Sequence, residues 1–203
     1  MLMQFSTMEL KEALRAEREG TFFRLRGVYP VPLAGAVWWG LLGLAGYRLH
    51  MHEWIMLAFF TSGTIFPLAI LFGRLFGVNF MGDRTAVSDL MLPTLTPMVL
   101  FWPVAISAFW RAPELVPLVM AIGMSVAWPV MGWIYGRTGI FTAHAVVRAV
   151  VCFVIWNWMP SGRFTVLPLA VCAIYLVTVG VVWVGSSPGR RQVISVGNRA
   201  EAG

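Results

Sequence analysis

The stretch FTVLPLAVCAIYLVTVGVVWVGSS, Phe164 to Ser187, runs for 24 residues without a charge. A hydrocarbon core about 30 Å thick needs roughly 20 helical residues to cross it, so this segment is long enough to span a bilayer. Its apolar residues are continuous and do not alternate, which excludes a barrel strand. In lipid every backbone polar group must be satisfied internally, and a helix does that within one segment. The fold class follows from this one reading and from its recurrence along the chain.

Four more charge-free runs have the same character: Gly27 to Tyr47, Trp54 to Gly73, Leu90 to Trp110 and Leu115 to Tyr135. A sixth, Gly139 to Met159, is interrupted by Arg148. The sequence therefore predicts an all-α polytopic transmembrane bundle of six spans over residues 27–187. A short N-terminal amphipathic helix precedes it within residues 1–26, and a basic, disordered tail follows over 188–203. Composition agrees: of 203 residues, 59% are hydrophobic and only 12% charged, and the mean hydropathy is +0.76. Too little polar surface is available to cover a soluble domain of this size.

Net charge is +6, and its distribution matters more than its sum. If six spans return both termini to one side, that side holds Lys11, Arg15, Arg18, Arg24, Arg26, Arg74, Arg84, Arg137, Arg190, Arg191 and Arg199. The other side holds Arg48, Arg111 and Arg163. Eleven against three is a positive-inside bias that places both termini in the cytoplasm. The basic charge is thus a topology signal, and nucleic acid is not an expected partner. The bilayer is; a protein partner or a second copy of the chain stays open, and no cofactor is indicated.

Ser6 with Glu9 fits a capping box at the start of a helix running to Gly20, with Glu12 and Arg15 at a supportive spacing. Such a helix either lies on the inner leaflet or is a solvated lead-in. Three spans carry an aromatic residue, proline and an aliphatic residue in succession: Phe66-Pro67-Leu68, Trp102-Pro103-Val104 and Trp128-Pro129-Val130. Proline removes an intrahelical hydrogen bond and kinks a helix. The third span, with Pro93, Pro97 and Pro103, should be the least regular. Ala36, Gly40 and Gly43 form a small-residue stripe suited to close helix packing. Cys152 and Cys172 fall inside spans and read as small buried residues.

The strongest candidate for chemistry is His144 with Arg148, because positions i and i+4 share a helical face and an arginine inside a span costs roughly 2.5–3.5 kcal/mol to insert. Asp89, at the start of the third span, is the natural partner. Tyr135 and Arg137 belong to the same half of the membrane and complete a candidate ligand- or ion-binding cluster. That cluster is either an anion or proton site or a bridge that fixes helix order. In the loop after the first span, His50, His52 and Glu53 carry metal-ligating atoms at close spacing.

The segments Gly63-Thr-Ile-Phe-Pro67-Leu-Ala-Ile-Leu-Phe-Gly-Arg74-Leu-Phe-Gly77, Trp128-Pro129-Val-Met-Gly-Trp133-Ile-Tyr135-Gly-Arg137 and His144-Ala-Val-Val-Arg148 together resemble a family of small, uncharacterised bacterial multi-span membrane proteins, a domain of unknown function. The likeness runs from about Leu10 to Trp183. It implies a bacterial inner-membrane location and supplies no activity. The expected function is a small transporter, channel-like or ligand-binding membrane protein. The alternatives are a non-catalytic accessory subunit of a larger membrane complex and, third, a membrane enzyme acting on lipid.

Overall fold

The computed structural model describes residues 6–79, 82, 83, 85 and 90–186. Asp89, Arg84 and the tail after Ser186 lie outside the described residues, and with them the expected Asp89–Arg148 pairing and the expected disorder of the tail. The elements are α1 (Thr7–Arg24), α2 (Pro30–Ala45), α3 (Met51–Thr61), α4 (Ile65–Leu75), α5 (Met91–Leu100), α6 (Trp102–Arg111), α7 (Val116–Gly123), α8 (Trp128–Ile134), α9 (Thr138–Trp158) and α10 (Val166–Gly185). Among the described residues the chain is an all-helical bundle.

Among the described residues five helical segments are long and apolar enough to cross a membrane: Arg26–Ala45, Met51–Leu75, Pro113–Ile134, Thr138–Trp158 and Val166–Gly185. Large apolar side chains such as Val146, Val150 and Phe153 on α9 and Val177 on α10 are exposed on the bundle's outside, which suits lipid and not water. Of the six spans expected from sequence, Leu90 to Trp110 is not among these five; here the chain forms α5 and α6, of ten residues each, meeting at Phe101. Even so, this pair runs antiparallel beside its neighbour, with α5 against α8 and α6 against α7.

The bundle has two distinct ends. At one, α1 reaches across the chain: Arg24 bonds Asp83 at 3.2 Å, Arg26 bonds the Phe76 carbonyl at 3.2 Å, and Arg18 donates to the Trp133 carbonyl and stacks on that indole. The hydrogen bond that Arg24 donates to Asp83 raises the Arg24 pKa above the ordinary guanidinium value. At the other end Trp54 packs on Phe164, His52 on Phe109, and Trp156 donates to the Glu114 carbonyl at 2.8 Å. Successive chain crossings therefore alternate between these ends.

The capping box forms: the Ser6 amide donates to Glu9 at 2.7 Å, and the Glu9 amide to the Ser6 hydroxyl at 3.3 Å. The helix continues four residues past Gly20, because Thr21 and Phe22 bury against the bundle. Arg15 pairs with Glu19 and not with Glu12. The chain then turns through Arg26, Gly27 and Val28, all at positive φ (48°, 69° and 54°). A β-branched residue there is an outlier; Val28 is held by its burial and by a bond from its amide to the Leu25 carbonyl.

Small residues on α2 set its approach to α10. A Cβ on Gly35 would lie 2.8 Å from Tyr175 Cζ, and one on Gly43 would lie 2.6 Å from Leu169 Cγ. Gly40 faces Cys172, so two members of the expected stripe make this contact. Both cysteines are free thiols.

Candidate functional site

The buried residues of α9 are Phe141, His144, Arg148 and Cys152, a single stripe at helical spacing. On α10 the matching stripe includes Val171, Tyr175, Thr178 and Val182. Because the two helices are consecutive and antiparallel, the stripes meet in register. His144 Nδ1 lies 2.7 Å from Thr178 Oγ1, and Arg148 Nη1 donates to Tyr175 Oη at 2.7 Å. Thr178 also donates to the Ile174 carbonyl at 2.9 Å. The Thr178 hydroxyl has one proton to divide between the Ile174 carbonyl and His144 Nδ1, so the His144 tautomer sets whether its Nε2 donates or accepts.

Arg148 is 0% exposed. Its guanidinium carbon sits 5.1 Å from the Trp39 ring centroid and 5.0 Å from that of Tyr175, each contact stabilising by up to about 2 kcal/mol when desolvated. No carboxylate among the described residues pairs with it. Arg148 Nε and Nη2, His144 Nε2 and Trp39 Nε1 are all buried without a hydrogen-bond partner. By contrast Trp38 and Trp54 spend their indole protons on Thr61 and on the Leu42 carbonyl. Leaving such a group unpaired costs about 1–3 kcal/mol. Four of them gathered around one cation, of which Arg148 Nε, Arg148 Nη2 and Trp39 Nε1 are obligate donors, make a site whose unmet demand is for an anion or another acceptor.

Two hollows flank this cluster. One is a cavity of about 280 Å³ with Gly35, Gly63, Met98, Met124, Trp128 and Tyr175 among its walls. A groove of about 460 Å³ runs between α9 and α10, floored by His144 and Thr178 and rimmed by Val147, Val177 and Val181. Trp128 joins the two regions: it stacks on Phe141 at 5.4 Å and touches both His144 and Tyr175.

Of the residues singled out from sequence, His144 and Arg148 come together. Tyr135 and Arg137 do not join them. Arg137 opens α9, eleven residues before Arg148, or roughly 16 Å along a helix, and its guanidinium covers the Phe22 ring. Tyr135 is buried beside Phe141 with its hydroxyl unpartnered. At the opposite end His50, His52 and Glu53 are used structurally. Glu53 accepts from the His50 amide at 2.9 Å to cap α3, and among the described residues no three histidine, cysteine or acidic side chains are grouped to hold a metal. The partners that the sequence reading missed are Trp39, Tyr175 and Thr178. Tyr175 and Thr178, three apart in an otherwise apolar span, carried the available signal.

No curated protein and no solved structure matches the chain. A family model does match, over residues 16–185, which takes in the second half of α1, all of α2 to α10 and both stripes of the polar cluster. The chain thus belongs to the family of unknown function DUF7010.

Proposed function

We propose that the protein is a ligand-binding membrane protein of the transport type, whose site is the polar cluster of α9 and α10 with the cavity beside it. In this reading the broken third span also crosses the bilayer, giving six crossings. The arginine-rich end, with both termini, faces the cytoplasm of a bacterial inner membrane. The helix Thr7–Arg24 lies against that face, and the sequence of 188–203 is basic.

The observation that carries the reading is Arg148, wholly buried, with two nitrogens unspent and no described carboxylate beside it. A purely structural arginine would be expected to satisfy its donors, since an uncompensated buried charge is costly. Interrupted helices around a cavity are also how many transporters build a site near the bilayer midplane.

Replacing Arg148 with methionine separates function from scaffold. Apolar residues of similar volume in place of a buried charged group are often neutral or stabilising, by about 1–4 kcal/mol. Arg148→Met is expected to raise the thermal midpoint of the purified full-length protein in detergent. A midpoint lowered by several degrees would mean that Arg148 holds the helices together, and would overturn the reading.

A further inference from the structure

Three consecutive crossings are interrupted beside one cavity. The chain breaks at Ser62–Thr64 between α3 and α4, at Phe101 between α5 and α6, and at Met124–Ala127 between α7 and α8. Pro67, Pro103 and Pro129 follow these breaks. Each lacks the amide proton that would bond the carbonyl four residues back, which belongs to Gly63, Val99 and Ser125 respectively. Ser125 accepts from the Trp128 amide instead. Gly63, Val99, Met124 and Ala127 all line the cavity.

The cavity opens sideways. Phe66 and Val99, on its rim, are 48% and 64% exposed on the lipid-facing outside of the bundle. A Cβ built on Gly63 meets nothing within 4 Å. Among the side chains of the cavity wall the polar groups are the Trp128 indole N–H and two hydroxyls, those of Ser62 and Tyr175. Ser62 returns its proton to the Phe59 carbonyl at 2.9 Å. Tyr175 lies at the inner wall, with the carbon bearing its hydroxyl pressed against Gly35, another wall residue. Its oxygen accepts from Arg148, and its own proton has no acceptor among the described residues. Accepting from a guanidinium polarises the hydroxyl and strengthens it as a donor.

We propose that this cavity binds a single-chain lipophilic carboxylate, entering from the bilayer between α4 and α5. The chain lies among Phe66, Met98 and Val99. The carboxylate accepts from Tyr175 and neutralises the buried charge behind it, Arg148, with which no described carboxylate pairs. The inference rests on the ligand-binding reading and names the ligand's chemistry. A zwitterionic or cationic amphiphile offers no net negative charge to Arg148, and a neutral one leaves it uncompensated.

The test uses the full chain in phosphatidylcholine nanodiscs with two photoreactive diazirine probes of equal chain length, decanoic acid and decanol, at pH 8. The acid probe should crosslink to Phe66, Met98 or Val99 about tenfold more than the alcohol and be competed by unlabelled decanoate. Gly63→Phe, which fills the mouth, should abolish labelling by both. Tyr175→Phe should lower the acid to the level of the alcohol and leave the alcohol unchanged. Equal labelling by acid and alcohol in the parent chain, still blocked by Gly63→Phe, overturns the carboxylate assignment and keeps the ligand site. Labelling that neither Gly63→Phe nor Tyr175→Phe alters overturns both.

Discussion

The bundle divides into a continuous half and a broken half. In the first, α2, α9 and α10 run for 16, 21 and 20 residues without interruption, and glycines draw α2 onto α10 until no side chain would fit between them. In the second, the helix pairs α3–α4, α5–α6 and α7–α8 are each split at a proline-linked break, and the cavity lies beside those breaks. The difference teaches where each demand can be met. A buried cation needs neighbours that cannot move away from it, so Arg148 sits in the continuous half with its ring contacts fixed. A ligand needs room and a way in, and these arise where backbone regularity has already been given up.

Matched substitutions in the two halves test that division with the largest effect. At Gly43 a side chain would meet Leu169 at 2.6 Å and the Leu169 backbone nitrogen at 3.2 Å. Overpacking of this kind costs about 1–3 kcal/mol, sometimes more, so Gly43→Leu should lower the thermal midpoint by several degrees or prevent folding. Gly63→Leu faces open space and should leave the midpoint within about a degree, since substitutions away from packed contacts stay near ±0.5 kcal/mol. Equal losses at the two glycines would show that the broken half is packed as tightly as the other.

A smaller effect is expected from mending a break. Pro103 stands in the first turn of α6, where a missing amide proton matters little, so Pro103→Ala should change stability by under about 1 kcal/mol. It should nevertheless let α5 and α6 join, raising hydrogen-exchange protection at Trp102 to Val104 and narrowing the mouth beside Val99. If protection there stays at the parent level, the break is made by the packing of Phe101 against Gly123 and Trp102 and not by the proline.

The continuous half was legible in the sequence and the broken half was not. His144 and Arg148 declared themselves by polarity at an i,i+4 spacing, and the short loop before α10 required the antiparallel approach that brings Tyr175 and Thr178 to them. Prolines announced irregular helices, and the third span was expected to be the worst. What no single-span pattern holds is that the breaks after Thr61, Leu100 and Gly123 stand at one level and face one another. That is a property of how three helices are staggered. The same limit explains Tyr135 and Arg137. They share a membrane half with the polar cluster on a linear count, yet α1 folds back over that end and takes Arg137 onto Phe22. Charge counting gives Arg18, Arg24 and Arg26 a topological role, and in the fold they also tie the N-terminal segment to three separate parts of the bundle.

The helix α1 belongs to neither half, and its free end should be separable from both. Its first turns are exposed and rest on the capping box, while Phe22, at 0% exposure, anchors its last turn. The backbone hydrogen bond from Ser6, and then the Ser6 hydroxyl, hold the Glu9 carboxyl below its ordinary pKa. A depressed carboxyl pKa means that the cap contributes fully above the unfolded value and is lost as pH falls through the folded one. Hydrogen exchange at the Glu9 and Leu10 amides should therefore gain little from Glu9→Gln at low pH but accelerate at neutral pH. The amides of α2 and α10 should respond to neither the substitution nor the acid. Were α2 and α10 to loosen together with the cap, α1 would be part of the continuous half, and the arginines that tie it down would be holding Arg148 in place as well.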